Sequence, residues 1–181
     1  MTEKTEQKIL EAALKVFSEK GYVGATTKNI SLIAGFSEMT LFRKFETKKN
    51  LFRAVLTQKQ GEVLKDITSI LVDVEDVDPH ERFKILIYSM MDLIDRNFDY
   101  INIIVYERQR ISDSMINTLI SHLGEHMEKI FHKNEIDYYT LALNVLSFLY
   151  FNRFYKMGNT FFNHQKAVEE FIKYNTQCMS L

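Results

Sequence analysis

Apolar residues recur every three or four positions along most of the chain, the spacing that places them on one face of an α-helix. The first such stretch covers residues 9–17 and ends near Gly21, a residue type that commonly terminates helices. A second, KNISLIA, follows Thr26 and Thr27, and either threonine can cap it. A third, EMTLFRKF, follows Ser37. The pattern therefore predicts three helices in the first quarter of the chain.

The second and third predicted helices are joined very tightly. Gly35 can adopt the left-handed backbone conformation that ends a helix, and Ser37 can accept hydrogen bonds from the N–H groups that begin the next one. Two helices joined in this way form a helix-turn-helix. The third helix has only eight residues and offers little apolar surface for stability. Presenting it to the major groove of DNA is a use that matches its size.

The remainder of the pattern predicts helices only, so we expect an all-α chain with about nine helices. Thr47 can cap a helix whose apolar stripe runs for roughly six turns. Asp78 followed by Pro79 indicates the start of another helix. The stretch from Tyr138 to Met157 is apolar on nearly every side, and the last helix, from Thr160, carries two apolar lines. Such helices must be buried on two sides. We expect these last two helices to form the interface of a homodimer.

Composition and charge narrow the class of protein. One proline and six glycines in 181 residues leave little for hairpins, and no apolar run reaches the roughly 20 residues that span a membrane. The start lacks the apolar core of a signal peptide, and Cys178 is the only cysteine, so we expect a cytoplasmic protein without a membrane partner. Residues 1–55 hold ten lysines and arginines against six acids, whereas the rest holds 13 against 18. A basic N-terminal part, residues 1–55, followed by an acidic remainder is typical of a protein that binds nucleic acid through its N-terminal part.

Residues 9–56 closely resemble the DNA-binding head of the TetR family of transcriptional regulators. The resemblance is carried by Gly21-Tyr22, Thr26-Thr27, Ile30, Ala34-Gly35, Ser37, Thr40-Leu41, Phe45, Lys48-Lys49 and Leu51. The helical pattern beyond them is similar to that family's ligand-binding and dimerisation part. The resemblance implies a three-helix helix-turn-helix DNA-binding domain over residues 1–50 and a helical effector-binding and dimerisation domain over residues 51–181.

The same resemblance implies a repressor that binds a palindromic operator on double-stranded DNA as a dimer and is released by a small-molecule effector. The predicted DNA-binding residues are Thr27, Lys28, Ser37, Glu38, Met39, Thr40, Phe42, Arg43, Lys44 and Lys48. Arg43 is the natural reader of guanine, and Glu38 is an acceptor for a cytosine amino group. Lys28 and Lys48, each at the start of a helix, are expected near phosphates.

Three positions of the third helix depart from the family's pattern. Phe42 replaces the usual tyrosine, Arg43 stands where histidine is frequent, and Lys44 stands where an aromatic residue is frequent. Because Phe42 has no hydroxyl group, its contact with DNA can only be apolar, while Lys44 can add a phosphate contact. The operator sequence of other members therefore does not transfer to this chain.

In the helices predicted beyond residue 50, several methionine and aromatic side chains fall on the faces expected to be buried: Phe83, Met90, Met91, Phe98, Tyr106, Met127, Phe131, Phe148 and Phe151. Ordinary core packing is the first interpretation of each. The family resemblance adds the alternative that a subset lines an effector pocket. Few charged groups fall on these faces, so the effector is expected to be apolar or aromatic.

Enzymatic chemistry has one candidate motif. The sequence HLGEH, from His122 to His126, has the H-x-x-E-H spacing of an inverted zinc-protease motif. Gly124 lies inside the predicted helix and no third ligand can be identified, so we expect no metal site, no cofactor and no catalysis. An effector-free helical protein-interaction module is the alternative to a DNA-binding regulator.

Overall fold

The computed structural model describes residues 3–72, 76–111, 114–133, 135–156 and 163–180. Within these ranges the secondary structure is entirely helical, which confirms the predicted class and the expected number of about nine helices. The α-helices are α1 (Glu3–Gly24), α2 (Thr27–Ala34), α3 (Glu38–Phe45), α4 (Lys48–Ile70), α5 (Pro79–Arg96), α6 (Phe98–Tyr106), α7 (Ser114–Phe131), α8 (Tyr138–Lys156) and α9 (His164–Ser180), and a 3-10 helix covers Arg108–Arg110. The predicted end of α8 at Met157 and the predicted start of α9 at Thr160 lie outside the described residues. No helix in the described part is long and apolar enough to cross a membrane.

Local capping chemistry sets the boundaries of α2 and α3. The side chain of Thr26, rather than that of Thr27, accepts the N–H of Asn29 at 3.2 Å and caps α2. Gly35 then adopts the left-handed conformation, with φ 76° and ψ 30°, and ends the helix. The side chain of Ser37 accepts the N–H of Thr40 at 3.2 Å and caps α3. The predicted helix-turn-helix is confirmed.

The described part of the chain forms two compact units. Unit 1 contains α1, α2, α3, α4 up to Lys65, α6 and the 3-10 helix. Unit 2 contains the end of α4 from Asp66 together with α5, α7, α8 and α9. Unit 1 thus includes a helix from the middle of the chain. The division of the functional domains at residue 50 stays a prediction.

The core of unit 1 joins all three helices of the head to α4 and α6. Its fully buried members include Ile9, Ala13, Val16, Phe17, Ile30, Leu41, Leu51, Val55 and Ile103. The ring of Phe52 packs edge-on against Phe17, with 4.9 Å between ring centroids. Helix α3 contributes two buried side chains, those of Leu41 and Phe45. These two anchors fix which face of α3 is turned outward.

Unit 2 is a helical bundle whose core takes side chains from α5, α7, α8 and α9. The buried residues include Phe83, Leu86, Ile87, Met90, Leu123, Met127, Ala142, Val145, Leu149 and Val168. The carboxylate of Asp137 accepts the Thr140 hydroxyl at 2.7 Å and the Thr140 N–H at 3.2 Å, which caps α8. These hydrogen bonds favour the charged form and lower the pKa of Asp137.

Packing explains the glycine within HLGEH. A Cβ atom at Gly124 would lie 3.1 Å from the carbonyl oxygen of Tyr138, an unusually tight contact, so glycine favours the close approach of α7 to α8. Of the two histidines, His126 is buried and His122 is exposed. Across the described ranges, no group of three His, Cys, Asp or Glu side chains is placed to hold a metal ion. A packing role therefore accounts for the glycine of this motif.

Candidate nucleic-acid interface

The outward face of α3 is defined by its two buried anchors. At about 100° per residue, Met39 and Arg43 lie opposite Leu41 and Phe45 on the helix. Met39 is 81% exposed, and the Arg43 side chain is also exposed. Within the described residues, Arg43 forms no hydrogen bond or ion pair. Phe42, beside them, is 41% exposed. This face leaves an arginine and two apolar side chains available to a partner.

The start of α3 is bonded to the start of α2. The hydroxyl group of Thr27 donates a hydrogen bond to the carboxylate of Glu38. Both side chains are half-buried, so the bond holds the two helices of the helix-turn-helix together at this end. One oxygen of Glu38 is therefore engaged within the protein, and the predicted acceptance from a cytosine amino group would need its other oxygen.

Ser37 and Thr40 are also engaged with one another. Their hydroxyl oxygens are 2.9 Å apart, within hydrogen-bonding distance, and the side chain of Ser37 caps the helix as described above. These predicted DNA-binding residues therefore shape the start of α3. A contact from either hydroxyl to DNA stays a prediction.

The predicted cationic contacts fall into two groups. The ammonium group of Lys44 pairs with the carboxylate of Glu6 on α1 at 2.7 Å, and both side chains are partly exposed. Lys28, the second residue of α2, is exposed, and its ammonium group forms no hydrogen bond or ion pair in the described part of the chain. Lys28 and Arg43 are thus the predicted cations that internal partners leave available.

Lys48 has a structural role that the sequence did not reveal. Its ammonium group donates to the carbonyl oxygens of Tyr22 at 2.8 Å and Ala25 at 2.9 Å. The same group lies 4.6 Å from the centroid of the Tyr22 ring. An ammonium group has three N–H donors, so two of them are occupied by the protein itself. Lys48 connects the start of α4 to the end of α1 and the turn before α2, and a phosphate contact through its remaining N–H donor stays a prediction.

Sequence reasoning also missed the bonds between α6 and α1. The side chain of Glu107, directly after α6, accepts the backbone N–H of Tyr22 at 2.7 Å. At the other end of α6, the carboxylate of Asp99 accepts the hydroxyl of Ser18 at 3.0 Å. The guanidinium group of Arg110 donates to Glu107 at 3.0 Å and lies over the Tyr22 ring. The bonds of Glu107 to Tyr22 and of Asp99 to Ser18 join residues more than 80 positions apart along the chain, so no spacing in the sequence could indicate them.

The nine residues predicted for an effector pocket are divided between the two units, and the pocket itself stays a prediction. Phe98 and Tyr106 belong to α6 in unit 1, whereas the other seven belong to unit 2. Phe151 is 56% exposed, and Tyr106 is 63% exposed. Apolar character placed these residues on helices but could not show which side of each helix faces inward.

Of the remaining pocket candidates, Phe83, Met90 and Met127 are buried core residues, and Phe131 and Phe148 are half-buried. Met90 and Met127 are fully buried, and Phe83 packs edge-on against Phe131 with 5.5 Å between ring centroids. Phe148 stacks on Phe171 of α9 with 4.0 Å between centroids. Their packing matches the first interpretation given to them from the sequence.

A cavity of about 220 Å³ lies in unit 2 between α5, α8 and α9. Its lining includes Tyr88, Met91, Asp95, Asn152, Arg153, Lys156, His164, Gln165 and Val168. Met91 is the one member of the predicted set among them. Arg153 pairs with Asp95 at 2.7 Å, and Asn152 lies 3.0 Å from a ring nitrogen of His164. This cavity is lined by apolar side chains together with an ion pair and other polar groups, and the apolar or aromatic effector pocket stays a prediction.

Comparisons with known proteins agree with this geometry. The family model described as bacterial regulatory proteins, tetR family, matches residues 9–55. YvkB of Bacillus subtilis, an uncharacterised HTH-type transcriptional regulator, is 36% identical over 77 residues, which cover 36% of this chain and 41% of YvkB. The repressor NicS of Pseudomonas putida is 27% identical over 105 residues, which cover 58% of this chain and 49% of NicS. The chain thus spans less than half the length of either relative.

Solved structures extend the likeness over nearly the whole fold. A putative fatty acid metabolism regulator of Clostridium perfringens aligns with a TM-score of 0.67 at 25% identity, covering 91% of this chain and 94% of that one. A complex of AibR with isovaleryl coenzyme A and operator DNA aligns with a TM-score of 0.74 over 93% of this chain and 96% of that one. Its 16% identity supports the fold alone. Residues 9–55 thus match the tetR family of bacterial regulatory proteins, and the all-helical fold of the described residues agrees with that match.

Proposed function

We propose that this protein is a DNA-binding transcriptional repressor that acts as a homodimer on a palindromic operator. The observation that carries the proposal is the outward face of α3, where Met39 and Arg43 are exposed while Leu41 and Phe45 hold the helix in place. A helix presented in this way enters the major groove with its side chains against the base edges. The name of NicS, a transcriptional repressor, supports the direction of regulation.

The start of α2 supplies a second contact with DNA. Lys28 is exposed there, beside the N–H groups of the first turn, which carry the positive end of the helix dipole. Such a site suits a phosphate group, and phosphate contacts fix the position of a protein on the duplex without reading its sequence. Lys28 is therefore proposed to position α3, and Arg43 to read the bases.

The proposed dimer is supported by a second apolar stripe on α8. One stripe, through Ala142, Val145 and Leu149, is buried in unit 2. A neighbouring stripe includes Tyr139 and Leu143, and both of these side chains are about half exposed. Large exposed apolar patches commonly mark protein interfaces. Two copies joined along this stripe and α9 are proposed to place their α3 helices about 34 Å apart, one turn of DNA.

Regulation by a small-molecule effector is proposed to act through α6. This helix begins at Phe98, directly after the end of α5, and its bonds from Asp99 and Glu107 to α1 connect it to the head. An effector can shift the head only if it binds the DNA-competent and DNA-incompetent conformations with different affinity. An apolar effector stays part of the proposal, and the name of the Clostridium perfringens relative, a putative fatty acid metabolism regulator, agrees with it.

Selection of preferred sites from a library of random duplexes tests the proposed function. Purified protein at about 50 mM salt should enrich a two-fold symmetric sequence whose half-sites are centred about 10 base pairs apart. The mass of the protein in solution should be that of a dimer, near twice 21.4 kDa. If no sequence is enriched and no duplex is bound at this salt concentration, the proposal is wrong and the protein-interaction module becomes the better explanation.

A further inference from the structure

We propose that Met39 and Phe42 read the 5-methyl group of thymine, so that each half-site of the operator carries a thymine close to the guanine contacted by Arg43. This inference rests on the proposed DNA-binding function and adds the base chemistry that the protein recognises. It identifies apolar side chains, rather than hydrogen-bonding ones, as a source of its sequence preference.

The internal bonds of the head leave few side chains to read bases. The carboxylate of Glu38 accepts the hydroxyl of Thr27, and the hydroxyls of Ser37 and Thr40 lie within hydrogen-bonding distance of each other. On the same helix, the ammonium group of Lys44 pairs with a carboxylate on α1. Each polar group of α3 apart from the arginine therefore already has a partner within the protein.

The side chains that remain are Met39, Phe42 and Arg43. Met39 is 81% exposed on the outermost line of the helix, and Phe42 is 41% exposed beside it. Neither belongs to the buried core, to which α3 contributes Leu41 and Phe45. An apolar side chain held on the outer face of a DNA-facing helix gains by covering apolar surface when the complex forms.

The major groove offers only one such surface among the four bases. Thymine presents its 5-methyl group there, whereas adenine, guanine and cytosine present donors and acceptors. Placing a thioether or a phenyl ring against those polar groups removes water without replacing its hydrogen bonds, which is unfavourable. Met39 and Phe42 therefore favour thymine and disfavour the other three bases.

The spacing along α3 also predicts where the thymine lies. Met39 and Arg43 are four residues apart, about one helical turn, or roughly 5.4 Å to 6 Å along the axis. Successive bases of a DNA strand are separated by about 3.4 Å. The thymine should therefore lie within about two base pairs of the guanine in each half-site.

Uracil provides the test, because replacing thymine with uracil removes only the methyl group. Each thymine of the selected half-site is replaced in turn, and the affinity is measured by fluorescence anisotropy. Burial of one methyl group corresponds to a loss of about fourfold for one half-site and about 15-fold when both half-sites are changed. A thymine outside the half-sites, replaced in the same way, serves as the control and should change nothing.

The protein side of the test uses Met39→Ala and Phe42→Ala in the same measurement. If these side chains contact the methyl groups, at least one of the variants should bind thymine and uracil duplexes with equal affinity, as in a double-mutant cycle. Arg43→Ala should keep the uracil penalty. Thermal unfolding of each variant shows that the head is still folded, and Met39→Ala, with its exposed side chain, is the one expected to leave stability unchanged.

The outcomes separate this inference from the proposed function. A selected site whose affinity does not change with uracil overturns the inference and leaves the DNA-binding function intact. A uracil penalty that persists in both alanine variants also overturns it, because other atoms must then contact the methyl group. Failure to select any site overturns the proposed function itself.

Discussion

Arg43→Ala is expected to lower the affinity for the selected operator by about 5- to 150-fold for each half-site while leaving binding to random duplexes almost unchanged. A two-pronged contact from arginine to guanine contributes about 1–3 kcal/mol of discrimination against the wrong base. The guanidinium group is exposed on the outer line of α3 and has no internal partner among the described residues, so the protein keeps its structure without it. Fluorescence anisotropy with selected and random duplexes measures both affinities.

Lys28→Ala is the matched control for this prediction. Its ammonium group is proposed to contact a phosphate, so its loss should weaken binding to selected and random duplexes alike. The slope of log affinity against log salt should also fall by about one for each lost contact. If Arg43→Ala instead lowers both affinities equally, the arginine is a phosphate contact and its assignment as the base reader is wrong.

Leu41→Ala is expected to destabilise unit 1 by about 2–5 kcal/mol, the usual cost of emptying a well-packed leucine site. Leu41 is fully buried, and Phe45 is the one other buried side chain of α3, so the helix loses half of its anchorage. Denaturant unfolding of the purified protein measures the change, and operator affinity should fall with it.

Met39→Ala provides the comparison for Leu41→Ala on the same short helix. Its side chain is exposed, so its free energy of unfolding should stay within about 0.5 kcal/mol of the parent protein. Equal stability of the two variants would show that Leu41 does not anchor α3, and the outward face of the helix would have to be reassigned.

The ends of the helices in the DNA-binding head could be predicted from the sequence, because each end is set by groups only a few residues apart. Gly35 ends α2 and Ser37 caps α3 through bonds that span at most five residues. Thr47 caps α4 in the same way, by accepting the N–H of Asn50 at 3.0 Å. Residue type is sufficient to predict such bonds, since the partner is a backbone group whose position the helix itself defines.

The interactions that the sequence could not predict join residues far apart in the chain. Lys48 bonds the carbonyl of Tyr22, 26 residues away, and Glu107 bonds the N–H of the same residue, 85 residues away. A charged residue at a helix end suggests a phosphate contact or an internal bond equally well. Only the fold brings the carbonyl groups of the α1–α2 turn to the ammonium group of Lys48.

The proposed DNA-binding face and the proposed effector pocket also differ in how far local sequence could predict them. Periodicity correctly placed Met39 and Arg43 on the face of α3 opposite its buried residues. For the proposed effector pocket, periodicity could not single out one face of α8, because this helix is apolar on nearly all sides. Phe151 is on the exposed side of that helix, whereas Leu149 is in the core. The identity of a residue does not report which neighbouring helix covers it.

Photo-crosslinking from the outward face of α3 tests the central claim most directly. Protein carrying p-benzoylphenylalanine in place of Phe42 is mixed with the selected duplex and irradiated, and the crosslinked bases are mapped. The same group in place of Glu19, an exposed acidic residue of α1, is the control. We predict crosslinks from position 42 to bases within the half-sites and only background from position 19. Equal yields at the two positions would show that α3 does not lie against the bases.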